Sequence, residues 1–258
     1  CRSLELSKIL KKKFKVTFCL LKNIKLKNLY KYDLIILDVK NFKLLQRKEL
    51  KNKKTITIEN FTKYKSNLNI SIFDHKPNNI GQRVSGLKFA IIRNKIKQKN
   101  KRKKMGKLPL ISLGSFDRKN YLIKIKGKSK LKKIKFNVFS RIYTQKNKFY
   151  YDNFNFIQKK NFEKYLVEAP WCIVNGGLTL VECLYLKKPI YAIPQTDLEK
   201  KFINYLFKKG YILGNSISMI DPNNKKIKLI KKKLKYLVDG KGASRISNLI
   251  KKIYDKNF

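Results

Sequence analysis

The stretch WCIVNGGLTLVECLYLKKPIYAIPQTDLEKKFINYLFKKG, residues 171–210, decides how this chain folds. An apolar run, WCIV (171–174), meets Asn175-Gly176-Gly177 and passes directly into a helical pattern over 178–186. A second apolar run, PIYAIP (189–194), follows. Strand, small-residue turn, helix and strand in that order make the βαβ unit of a parallel sheet. Glycines at such a corner let the backbone approach a phosphate, and the helix beyond presents N–H groups and the positive end of its dipole. Thr179 and Glu182 are three apart and share a helix face one turn in. A hydroxyl there suits a phosphate, and a carboxylate further along suits ribose hydroxyls. The same residues also serve an ordinary turn with a glutamate complementing the helix dipole, and spacing alone leaves both readings open.

Outward from this stretch, β-type runs alternate with helical patterns along the whole chain. An amphipathic helix pattern opens it, CRSLELSKILKKKF. Strands are expected at 15–21, 33–39, 55–58, 69–73 and 88–92, then at 109–114, 135–140, 150–157, 171–174 and 189–194. Several are apolar on both faces, as parallel strands covered by helices must be. Helices are expected near 160–169, 178–186, 198–209 and 225–255. The run RNKIKQKNKRKKMGK (93–107) has dense like charge and no apolar period, which reads as a linker. The organisation is α/β throughout. A first Rossmann-like domain spans 1–95, a basic linker 96–107 and a second domain 108–258, with a cleft expected between the two. The tail NNKKIKLIKKKLKYLVDGKGASRISNLIKKIY places Ile, Leu and Tyr at helical spacing. It reads as two closing helices rather than a membrane-surface element.

The chain has 258 residues and a formal charge of +48, which invites a nucleic-acid reading. The excess is 56 lysines against eight arginines, accompanied by Asn, Ile, Phe and Tyr. Those are the residues of A/T-rich codons, and the lysines are spread along the chain, so codon bias accounts for them without a nucleic-acid partner. Readers of nucleic acid favour the planar fork of arginine. Four cysteines form no CxxC pair and there is one histidine, so no metal site assembles at the usual spacings. The expectation is a reduced, cytoplasmic chain with no transmembrane segment. His75, in the turn-like SIFDHKPNN, reads as a surface-loop residue, and Trp171 as packing rather than stacking.

A second corner, PLISLGSFDRKN (109–120), is again strand, small-residue turn and helix start. It puts Gly114 and Ser115 at a neighbouring strand end, with Ser115 or Asp117 available as a helix cap. With this corner in place, NGGLTLVECLYLKKPIYAIP (175–194) resembles the nucleotide-binding segment of the GT-B superfamily. The lipid-II-forming N-acetylglucosaminyltransferase carries that pattern, as do the UDP-sugar hydrolases of pseudaminic acid synthesis and their spore-coat polysaccharide relatives. CRSLELSKILKKKFKVTF (1–18) is similar to the hydrolases' first helix and second strand, and GLKFAIIRNKI (86–96) to the segment closing their N-terminal domain.

The resemblance implies a GT-B fold, two Rossmann-like doubly wound domains facing a cleft, with the first strand lying before Cys1. It implies a UDP-linked (di)acetamido deoxy sugar hydrolysed to free sugar and UDP, or, alternatively, passed to an acceptor by a glycosyltransferase. Gly176, Gly177 and Thr179 would lie near the diphosphate with Asn175 beside them, Glu182 on the ribose, and Gly114 and Ser115 on the cleft side. Arg2, at the family-like helix start, is a further candidate. The family's base is a histidine in a GxGH turn, which would precede Cys1, so no residue of this chain is assigned as catalytic. Neither cofactor nor metal is implied. Departures fall on the sugar-facing half: Lys40 stands where an aromatic is expected, IENF replaces the paired acids, and Glu199 replaces a glutamine, so its removal is expected to do little.

Overall fold

A computed structural model describes residues 2–20, 26–38, 50, 52–60, 64–73, 82–101, 104–114, 117, 119–140 and 152–255. The chain divides into two compact units, residues 1–93 with 239–258, and 94–238.

The first unit holds a four-stranded parallel sheet, β1 (Leu34–Leu37), β2 (Lys54–Ile58), β3 (Leu68–Ser71) and β4 (Gln82–Ser85), in sequential order. Its strands obey the period of two. Leu34, Ile36, Ile56, Ile58, Leu68, Ile70 and Val84 join one core, with Leu6 and Leu10 of α1 (Arg2–Leu10). Ile35, Leu37 and Leu50 form a separate core. Between β2 and β3 the polar positions pair among themselves. The Thr57 hydroxyl lies 2.8 Å from that of Ser66 and donates to Asn69 Oδ1 at 3.1 Å, while Asn69 Nδ2 donates to the Asn60 carbonyl at 3.1 Å. A buried polar layer of this kind is tolerable because its members satisfy one another.

In the second unit α2 (Asn94–Lys101) precedes β5 (Leu110–Ser112), α3 (Tyr121–Lys126), β6 (Phe136–Phe139) and β7 (Phe154–Phe156). Then come α4 (Phe162–Glu168), β8 (Cys172–Val174), α5 (Leu178–Tyr185), β9 (Ile190–Ala192), α6 (Asp197–Lys208) and α7 (Lys226–Lys233). The sheet is parallel with order β7-β6-β5-β8-β9, that is, third, second, first, fourth, fifth along this unit. Trp171 is packed, its ring edge-to-face with Phe136 at 5.6 Å and with Tyr191 at 5.8 Å. Lys188 is buried and its ammonium donates to the carbonyls of Val167 (2.6 Å) and Ala169 (2.5 Å), satisfying acceptors at the end of α4.

Four segments depart from the sequence reading. Residues 15–20, read as strand, have no strand assignment, and Phe18 and Leu20 are exposed. KFAII is not a strand: Leu87–Phe89 form a 3-10 turn after Gly86, whose φ of 125° only glycine adopts readily. The strand of that region is the polar QRVS at 82–85. Residues 94–101, read as linker, are helix α2, because lysine and glutamine are good helix formers and Ile96 is fully buried against the body. The tail does form two helices, α7 and α8 (Gly242–Asp255), and α8 belongs to the first unit, where it packs on α1. No helix among the described residues is long and apolar enough to cross a membrane.

Candidate functional site

The strand order of the second unit reverses between β5 and β8. In open α/β sheets the carboxyl ends of the two strands flanking such a reversal diverge and leave a crevice where ligands bind. Here those ends carry Gly114 and Asn175-Gly176-Gly177, so the sequence-predicted corners are brought together. Gly114 has φ 86°, and a Cβ added there would lie 3.2 Å from Asn175 Nδ2. Glycine is therefore required twice over, by backbone conformation and by the neighbouring amide.

Gly176 is required for another reason. An added Cβ would fall 2.6 Å from Glu199 Cβ and 2.7 Å from its Cγ. Glu199, on the first turn of α6, lies across the turn and uses both carboxylate oxygens. Oε1 accepts from Asn175 Nδ2 at 2.7 Å and Oε2 from the Gln195 backbone N–H at 2.7 Å. The Gln195 side-chain amide in turn donates to the Leu113 carbonyl. Glu199 and Gln195 thereby tie the ends of β5, β8 and β9 into one rim. Glu199, whose removal the sequence reading expects to do little, thus makes charge-assisted bonds to two segments of the turn. The sequence carried a signal for it, since Thr196 caps α6 and accepts from the Glu199 N–H, the T-x-x-E pattern of a capping box. A box would send the carboxylate back to the cap's own N–H. Here it reaches Asn175 and Gln195 instead.

Beyond the turn, Gly177 caps α5 without a side-chain bond to the helix N-terminus. Thr179 is half-buried, and Glu182, one turn on, is 2% exposed. Next to it the Cys183 thiol is held well above its usual range by burial, then by Cys172 and by the Glu182 charge. Asp117 serves the helix start read for it: its carboxylate accepts from the N–H groups of Tyr121 (2.9 Å) and Leu122 (2.8 Å) in α3. Ser115, His75, Lys40 and Cys1 lie outside the described residues.

Arg2 is in the first unit, engaged at the carboxyl ends of β1 and β2. It donates to both oxygens of Asp38 (3.0 and 2.6 Å) and lies 3.9 Å from Glu59. Ser3 donates to the same Asp38. Burial pulls the guanidinium pKa down, and the Asp38 bond with the two acidic charges more than restores it, to a net rise. Glu59 is held at φ 57°, a conformation side chains adopt at a cost, with its carboxylate accepting from Ile72 N–H at 2.8 Å.

No protein-family model and no curated protein matches this chain. Solved structures share its fold, two of them over nearly the whole chain. MurG from Acinetobacter baumannii aligns with TM-score 0.55 and 12% identity, over 97% of this chain and 77% of that one. A putative UDP-N-acetylglucosamine 2-epimerase from Listeria monocytogenes aligns with TM-score 0.58 and 10% identity, over 100% and 80%. The fold is of the GT-B type. Its two Rossmann-like units are those described above, and at such identities the likeness speaks for fold alone.

Proposed function

We propose that this chain is a nucleotide-sugar enzyme of the glycosyltransferase kind. It holds the diphosphate of a UDP-linked amino sugar at the Asn175–Gly177 turn and passes the sugar to an acceptor. The observation that carries this reading is the meeting of two glycine-bearing strand ends at the sheet reversal, with a helix start lacking a side-chain cap immediately beyond. In the transfer, an acceptor hydroxyl oxygen bonds to the anomeric carbon and releases its proton to solvent, while the bond from that carbon to the diphosphate oxygen breaks and UDP leaves with the electron pair. The N–H groups and dipole at the start of α5 offset the charge that gathers on it. Gly114, Ser115, Asn175, Gly176, Gly177 and Thr179 are assigned the diphosphate side and Glu182 the ribose hydroxyls. Because Glu182 is buried, its assignment is the one to test first.

A second reading makes water the acceptor. It is favoured by the segments at 1–18 and 86–96, which resemble the UDP-sugar hydrolases. Titration of the chain with UDP, followed by thermal shift, tests the shared part. UDP is expected to raise the melting temperature, and Glu182→Gln to weaken binding by about tenfold or more. Equal UDP binding by parent and variant overturns the ribose assignment, and no shift in the parent overturns the nucleotide reading itself. Release of free sugar and UDP without an acceptor selects hydrolysis over transfer.

A further inference from the structure

Between Asp221 and Asp239 the second unit has seven lysines and no acidic residue. This segment contains α7 and the turn after it. Ile230 and Leu234 are buried and close the helix onto the unit, as the sequence suggests. The opposite face is not used in closing. Leu229 is 63% exposed and Tyr236 82% exposed. Lys225, Lys226, Lys232 and Lys233 stand four and three positions either side of Leu229, and all four are exposed. Residues at those spacings share one helix face. Tyr236, exposed as well, lies in the turn three residues past the helix end.

A lysine-rich composition does not by itself produce such a face. Helix α2, NKIKQKNK, has lysine at four of its eight positions, against five of eight in α7, yet its single apolar side chain, Ile96, is fully buried. Its outward residues are all polar, the usual outcome for a solvated helix. On α7 an apolar side chain is instead exposed between lysines that stand three and four positions to either side of it.

We propose that this face docks the chain on an anionic phospholipid surface, Leu229 and Tyr236 sitting among the headgroups and the four lysines facing lipid phosphates. Charge complementarity selects an anionic partner, and the leucine selects lipid over nucleic acid. Leucine has neither a ring to stack on bases nor a group to bond phosphate, and would stay in water on a nucleic-acid surface. In the interfacial region of a bilayer its burial is favourable, and tyrosine suits the same depth. Clusters of four or more lysines on a helix bind acidic lipids mainly through charge, so the attachment is reversible and weakens with salt. It is independent of the nucleotide site.

The test is sedimentation of the whole chain with phosphatidylcholine vesicles, with and without phosphatidylserine, at low and physiological salt. Binding is expected only with phosphatidylserine. Replacing Lys225, Lys226, Lys232 and Lys233 together by Gln is expected to lower partitioning on the order of 100-fold. Leu229→Ser with Tyr236→Ser is expected to lower it about tenfold. Lys95→Gln, Lys97→Gln, Lys99→Gln and Lys101→Gln together, on α2, control for overall charge and are expected to change it far less. The proposal is overturned if the α2 variant loses as much as the α7 variant, or if the Leu229/Tyr236 variant binds vesicles like the parent. It is also overturned if a duplex DNA oligonucleotide, rather than vesicles, is what the four lysines retain.

Discussion

At the edge where parallel strands present their carboxyl ends, the two sheets of this chain are finished in different materials. In the first unit Asp38 follows β1, Glu59 follows β2, and Arg2 bonds one and approaches the other. In the second unit the corresponding edge is made of glycines and amides, held from behind by Glu199. An edge filled by its own charges has those groups already engaged with one another and depends on every partner being present. An edge of bare backbone leaves its polar groups to whatever ligand the reversal of strand order admits. Glycine is used differently too. Gly242, at the start of α8, has room for no Cβ because it would run into the Ala90 carbonyl, whereas Gly176 faces a side chain. Close packing in the first unit therefore serves stability, and in the second it shapes a turn.

The sharpest way to break this contrast is Gly242→Ala. Its methyl group meets fixed backbone, so the variant is expected to lose about 3 kcal/mol, read as a lowered urea midpoint. A midpoint equal to the parent's would show that α8 does not need this approach. Arg2→Ala comes next, leaving Asp38 and Glu59 without their cation. The pair is partly exposed, so the loss expected is roughly 2 kcal/mol, below that of a fully buried pair, with UDP binding unchanged. If stability holds and UDP binding falls, Arg2 belongs to the ligand set and the contrast fails.

Glu199→Ala should behave in the opposite sense. It removes two hydrogen bonds at the turn, and UDP affinity is expected to drop about tenfold for a stability cost of about 1–2 kcal/mol. Unaltered UDP binding would mean that the turn holds its shape without the clamp. The smallest effect is at Asp239, whose carboxyl is lowered to about 2, chiefly by its hydrogen bond from Arg245. A depressed carboxyl contributes stability above its ordinary range near 3.8 and loses it as pH falls toward about 2. Both groups are more than a third exposed, so the contribution is under about 1 kcal/mol. It is read as the difference between parent and Asp239→Asn in acid unfolding from pH 5 to 2; no convergence on acidification would remove the pair from the account.

Much of the second unit was legible because its strands are short apolar runs bounded by turns. LIS, CIV and IYA are buried at every position, and that pattern has few other homes. The failures have a common origin. QRVS is polar because it is partly exposed, so neither alternation nor hydrophobicity marked it. KFAII has a strand's composition, but Gly86 turns the chain and Phe89 and Ile91 join the core beneath α8. At the site, the corners at Gly114 and Asn175–Gly177 were visible as strand-turn-helix junctions. The clamp of Gln195 and Glu199 was not, because its partners come from three strand ends.

By itself, then, the sequence determined the alternation of strands and helices, the place of the glycine turns and the separation of apolar from lysine-bearing faces. These follow from periodicity and backbone preference, which act over a few residues. Only the tertiary structure decided that Asn175 meets Glu199, 24 residues on, that Arg2 meets Asp38, 36 residues on, and that the last helix returns to the first unit. Those meetings depend on the order in which strands lie across each sheet, and no local pattern of side chains encodes that order.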